Sequence, residues 1–249
     1  IYQRLDAPLI RTGIKTAELV KYADNAFHAL KISFANELGV LAGIEGIDGH
    51  ELMDIFVQDT KLNLSPVYLR PGYAFGGSCL PKDLRALNHR ARTRDLPTPV
   101  LASILKSNDR HKQRALALIT ETGKKRVAVL GLSFKPNTDD LRESPAVELV
   151  EGLLGKGCHL QIYDRNVALA RLVGANKEFI EREIPHISSL MVPDLESALA
   201  DAEVVVVTSG DKEFRGLADL LRPNQQLVEL ERIVDNVDGL GERYHGIAW

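Results

Sequence analysis

The residues of this chain best suited to covalent chemistry lie together in Gly76-Gly77-Ser78-Cys79-Leu80-Pro81-Lys82-Asp83. A lone thiol stands between a double glycine and the predicted start of a helix. Pro81 fits a first helical position, where its missing N–H costs nothing, and Leu84, Leu87 and Ala91 continue at helical spacing. A helix N-terminus and the Lys82 ammonium both favour thiolate over thiol, the form that attacks carbonyls. Asp83, one turn from Cys79, is in reach to orient water or relay a proton, although its charge opposes the thiolate. The same residues also accommodate a plainer reading, in which Cys79 is a small buried core residue.

Three further sets of residues bear on ligand binding. On a predicted helix over residues 16–44, Lys21, Asn25, His28 and Asn36 share one stripe, away from Ala23, Phe27, Leu30, Phe34, Leu38 and Leu41. Asn is a poor helix former, which favours a ligand-facing stripe; a solvated polar face is the other reading. Ahead of the thiol, Tyr68-Leu69-Arg70-Pro71-Gly72-Tyr73-Ala74-Phe75 sets a guanidinium among aromatic rings. That suits bidentate capture of a phosphate or a sugar diol, or else an ordinary surface loop. Further on, Lys135 and Arg142 follow a short apolar run, in the kind of strand-to-helix loop where open parallel sheets bind phosphates. Asp164 ends the next apolar run, where a ribose-binding acid would stand, but no G-x-G-x-x-G precedes it, which speaks against dinucleotide binding by this half. Cys158 reads as structural, and the histidines make no zinc motif.

The elements that must position these residues have two textures. Up to Gly123 the chain reads as nearly all helix, over residues 16–44, 49–58, 81–94 and 99–122, with a loop over 61–78. The last helix is entered through Thr98 as cap and Pro99 as first helical residue. Beyond Gly123, short apolar runs at 127–130, 159–164, 204–207 and 227–230 alternate with helical segments at 144–154 and 195–200, the pattern of a parallel sheet covered on both faces. The predicted fold is therefore α/β: an all-helical domain over residues 1–123, then a Rossmann-like parallel-sheet domain over 124–249. A chain of 249 residues, 45% hydrophobic and 26% charged, can bury a sizeable core. Its net charge of -3 argues against a nucleic-acid binder with an overall basic field. No apolar run is long enough to cross a bilayer and no signal-peptide pattern opens the chain. Two cysteines without framework spacing suit a reducing cytoplasm.

Taken together, the segments resemble the nucleotide-sugar 6-dehydrogenases, the family that includes UDP-glucose and GDP-mannose dehydrogenases. The resemblance runs through Ala17 to Asn25, Phe34 to Glu37, Gly76 to Asp83 and Gly131 to Ser144, in that order. The stretches Gln58 to Ser65 and Leu69 to Phe75, and the ending Tyr244 to Trp249, are more similar to the GDP-mannose branch, with Val67 standing where that branch has an aromatic residue. The resemblance implies oxidation of a sugar C6 alcohol to a carboxylate, with two NAD molecules taking hydride and Cys79 forming a thiohemiacetal and then a thioester. It places Lys21 and Asn25 at developing oxyanions and Asp83 at the hydrolytic water. His28, Asn36, Tyr68, Arg70, Tyr73, Gly76 and Lys135 fall on nucleotide-sugar contacts, and Lys82 and Arg142 on NAD. It also implies a homodimer formed by the helical domain, with Arg70 reaching a neighbouring subunit's site. Of the family's three parts this chain, beginning at Ile1, supplies the last two, so it is expected to bind nucleotide sugar without turning over. The competing expectations are a UDP-sugar dehydrogenase and a non-catalytic nucleotide-binding or dimerisation module.

Overall fold

The computed structural model describes residues 10–47, 49–65, 71–133, 141–167, 185 and 187–248. The chain divides into two compact units, residues 1–65 with 90–102 and residues 66–89 with 103–249. Helices α1 (Ile14–Ile44) and α2 (Gly49–Phe56) belong to the first, whereas α3 (Leu80–Thr93) and α4 (Pro99–Thr120) contribute residues to both.

In the first unit, α1 closes with the Ile47 N–H returning to the Ala42 carbonyl at 2.9 Å while Gly46 takes φ +73°, a left-handed exit that costs glycine nothing. Gly49 then lies against Gly39: a Cβ on Gly49 would stand 2.9 Å from the Gly39 Cα, so these two glycines set how near α2 starts to α1. Phe34 and Phe56 pack across the helix pair with ring centroids 5.9 Å apart. The apolar face of α1 is covered unevenly, since Leu41 and Ala42 are buried but Phe27 is 39% and Leu30 48% exposed. α4 starts at Pro99 with Thr98 before it, as predicted, but a distant side chain completes the cap. Thr98 gives its backbone carbonyl to the Ala102 N–H, and the orphan N–H groups of Val100 and Leu101 are taken by the two carboxylate oxygens of Glu37, at 2.8 and 3.1 Å. A cap more than sixty residues away in sequence leaves no local signature.

The second unit is built on a five-stranded parallel sheet of β1 (Arg126–Leu130), β2 (His159–Tyr163), β3 (Val204–Val207), β4 (Gln226–Glu229) and β5 (Tyr244–Gly246), in the order β2-β1-β3-β4-β5. Its central strands are buried along almost their whole length, which is why they read as unbroken apolar runs. Between the strands lie α5 (Pro145–Gly155), α6 (Ile187–Leu190), α7 (Leu195–Ala200) and α8 (Leu217–Leu220). Alternate strand residues face two cores. Val127, Val129, Val204 and Val206 pack with Ala115 and Ile119 of α4 and with Val150 and Leu153 of α5. Ala128, Leu130, Val205 and Val207 pack with Ala198 and Leu199 of α7 and with Phe214 and Leu217. Ser144 caps α5, its hydroxyl accepting from the Ala146 N–H at 3.3 Å and donating to the Leu132 carbonyl at 2.8 Å. The edge strand β5, three half-buried residues long, was not among the predicted strands, because Tyr-His-Gly carries no apolar run. Among the described residues no helix is long and apolar enough to cross a membrane.

Candidate functional site

Cys79 stands at the head of α3, its carbonyl accepting the Asp83 N–H at 3.0 Å, and its side chain is exposed. The buried-core reading of this cysteine is thereby overturned, whereas Cys158, just before β2, is buried, as suits a structural residue. The Ser78 hydroxyl lies 3.9 Å from the Cys79 Sγ. In the first turn of α3, Pro81 is buried while Lys82 and Asp83 are exposed and lie 3.6 Å apart, so the Lys82 ammonium is shared with the neighbouring carboxylate.

The segment leading to the thiol forms a strap whose backbone groups are held from three directions, all within the second unit. From α4, His111 Nε2 lies 2.8 Å from the Gly72 carbonyl. Asn108, on the same face of α4, pairs with Phe75 as a strand would, accepting from its N–H at 3.0 Å and donating to its carbonyl at 2.8 Å. From the segment after β4, Glu231 accepts the Tyr73 N–H. Burial, with Glu229 nearby, holds the Glu231 carboxyl above the usual carboxylate range. From the start of α5, the Pro145 carbonyl accepts the Tyr73 hydroxyl at 3.0 Å, and the Glu143 carbonyl accepts the Gly77 N–H at 3.2 Å. Burial pushes the Tyr73 phenol well above its ordinary range. Gly76 is required by this packing, since a Cβ there would meet the Glu143 oxygen at 2.2 Å and the Pro145 ring at 2.5 Å. Beyond the thiol, Arg85 on α3 makes two hydrogen bonds to the Glu143 carboxylate, at 2.8 and 2.6 Å, which holds that carboxyl below its usual range.

Other predicted residues have different fates. Lys21, Asn25, His28 and Asn36 fall on α1, in the first unit, and their side chains lie outside the described residues, as do Tyr68, Arg70 and Lys135 entirely. Arg142 is exposed beside Glu143. Asp164 is buried at the carboxyl end of β2 and fully engaged by backbone: one oxygen accepts from Leu132 and Ser133 N–H at 2.7 and 3.1 Å, the other from Asn166 and Val167 N–H at 2.9 and 3.2 Å. It is not available to a ribose. Gly131 closes the same corner, since a Cβ there would stand 2.4 Å from the Ser209 Cβ. Sequence reasoning missed Asn108, His111, Glu143, Arg85 and Glu231; the one signal was Asn108, a poor helix former inside a helical run.

The chain matches two models of the UDP-glucose/GDP-mannose dehydrogenase family, the central domain over residues 15–110 and the UDP binding domain over residues 128–237. GDP-mannose 6-dehydrogenase of Pseudomonas aeruginosa is 53% identical over 249 residues, a match that covers all of this chain and 57% of that protein. UDP-glucose 6-dehydrogenase of Haloferax volcanii is 34% identical, over 94% of this chain and 52% of its own length. Among solved structures, a ternary complex of GDP-mannose dehydrogenase from P. aeruginosa superposes with a TM-score of 0.94 at 50% identity, covering the whole chain and 56% of that structure. The chain thus spans somewhat more than half the length of the relatives it matches.

Proposed function

Because the chain belongs to the UDP-glucose/GDP-mannose dehydrogenase family, we propose that it serves an enzyme oxidising the C6 alcohol of GDP-mannose to the carboxylate of GDP-mannuronate. The Cys79 Sγ adds to the C6 aldehyde to give a thiohemiacetal, loss of hydride gives a thioester, and water displaces the thiol to release the carboxylate. Two hydrides leave and one water is consumed per alcohol; NAD supplies the hydride acceptor. Lys21 and Asn25 donate to the developing oxyanion, and Asp83, one turn from the thiol, orients the water. His28, Asn36, Tyr68, Arg70 and Lys135 hold the nucleotide sugar. Tyr73 and Gly76 act by shaping the strap, since the Tyr73 hydroxyl is already bound by Pro145. Lys82, exposed at the N-terminus of α3, and Arg142 suit the pyrophosphate of NAD. The exposed apolar residues of α1, among them Leu19, Phe27 and Leu30, support a homodimer built on that helix. A domain boundary at residues 123 and 124 fits the gap between the two family matches. The two free cysteines accord with a reducing, cytoplasmic setting.

The observation that carries this reading is an exposed thiol at the head of α3, presented by a strapped loop, in a chain half identical to GDP-mannose 6-dehydrogenases. A UDP-sugar reading draws support from the description of the match over residues 128–237 as a UDP binding domain. Calorimetric titration of the protein with GDP-mannose and UDP-glucose in parallel, with NAD as control, separates the two. Clear preference for GDP-mannose with weak NAD binding is expected; preference for UDP-glucose overturns the choice of base.

A further inference from the structure

We propose that Glu143 is a positioning residue for the Cys79 thiol, fixing the chain on both sides of it; the inference rests on the reading of Cys79 as the nucleophile. Before the thiol, the Glu143 carbonyl accepts the Gly77 N–H at 3.2 Å, and Gly76 packs on that same oxygen so closely that no Cβ fits. After the thiol, the Glu143 carboxylate grips Arg85 on α3 through two hydrogen bonds of 2.8 and 2.6 Å. One residue therefore closes a bracket around Cys79, from Gly77 to Arg85. To do so it holds φ at +51°, a left-handed conformation unfavourable for a residue with a side chain.

As a stability device this arrangement makes little sense. The two side chains are 53% and 40% exposed, and ion pairs that open to solvent contribute little to folding. A strained backbone and a solvent-screened ion pair on one residue are explained by geometry: they index the head of α3 to the loop after β1. The end of that loop beside α5 is itself anchored, because the next residue, Ser144, caps α5 and bonds the Leu132 carbonyl. The strap alone would leave the thiol tethered only from its N-terminal side.

The test is the rate at which iodoacetamide alkylates Cys79 in the intact protein, followed at the Cys79 peptide by mass spectrometry so that buried Cys158 does not contribute. Glu143→Gln and Arg85→Ala should each slow alkylation by about threefold or more, as the turn presenting the thiol loosens, and the double variant should be no slower than the slower single one. Arg126→Ala serves as a control, because it breaks a comparably exposed pair with Glu203 at the opposite end of the sheet, and it should leave the rate unchanged whatever it does to the melting temperature. Unchanged or faster alkylation in Glu143→Gln, or equal slowing in Arg126→Ala, overturns the proposal. Alkylation requires no turnover, so failure of the nucleophile reading would be seen separately, as oxidation that survives Cys79→Ser in the complete enzyme.

Discussion

Two loops at the carboxyl edge of the sheet use their polar groups in opposite ways. At the ends of β1 and β2, the Asp164 side chain is consumed: four backbone N–H groups converge on its two oxygens. Along the strap before α3 the backbone is consumed instead, by Asn108, Glu143 and Glu231, and the side chain at its end, Cys79, is left exposed. The first arrangement uses a side chain to immobilise backbone for the sake of the fold. The second immobilises backbone so that a side chain can be presented, at the cost of building a site largely out of residues with no chemistry of their own. What marks Cys79 in this structure is less its own contacts than how thoroughly its neighbours are held.

The contrast is broken most sharply by replacing the presented and the consumed side chain in turn. Cys79→Ser should reduce two-step oxidation by the complete enzyme by about a thousandfold or more, while shifting the melting temperature of the protein hardly at all, because the thiol makes few contacts. Retention of substantial oxidation to the carboxylate would mean that the thiol forms no covalent intermediate. Asp164→Ala should do the reverse. It removes the carboxylate that accepts the buried N–H groups of Leu132 and Ser133, while Val167 keeps the Asp164 backbone carbonyl, and should cost about 3 kcal/mol of folding stability, read by denaturant unfolding. A loss under about 1 kcal/mol would show that water replaces the carboxylate as acceptor.

How much of this was legible in the sequence follows from the same distinction. The four longer strands and the helices α1 to α5 are visible because their burial is periodic or continuous, and the head of α3 because Pro81 marks its first turn, one residue after the helix begins at Leu80. The family motif likewise pointed at Cys79. What escaped was the apparatus that holds the thiol. Glu143 pairs with Arg85 across 58 positions, Asn108 with Phe75 across 33, and Glu37 caps α4 across 63, and no local pattern marks a partner so distant. Gly76 falls on a nucleotide-sugar contact by resemblance, and only the folded chain shows its packing requirement, with the space its missing Cβ leaves filled by the Glu143 carbonyl and Pro145. Asp164 was seen at the right edge of the sheet, but only the folded loop reveals that its oxygens are taken.

The finest adjustment of the comparison lies in Glu231, an anchor of the strap that carries an electrostatic cost. Its carboxyl is held above the usual range, first by burial and then by Glu229, with the Tyr73 N–H pulling the other way. A carboxyl with a raised folded-state pKa contributes stability that is fully present below the unfolded pKa of about 4.3 and is lost as pH rises through the folded value. At neutral pH the ionised side chain is therefore a small liability. Glutamine keeps an oxygen for the Tyr73 N–H without the charge. Glu231→Gln should accordingly raise stability at pH 7 by up to about 1 kcal/mol, and the gain should vanish by about pH 4, where wild-type Glu231 is itself neutral. Thermal melts of both proteins at the two pH values measure this directly. If the wild type proves the more stable at pH 7, the hydrogen bond from Tyr73 to the charged carboxylate outweighs its burial, and the strap is held by charge rather than in spite of it.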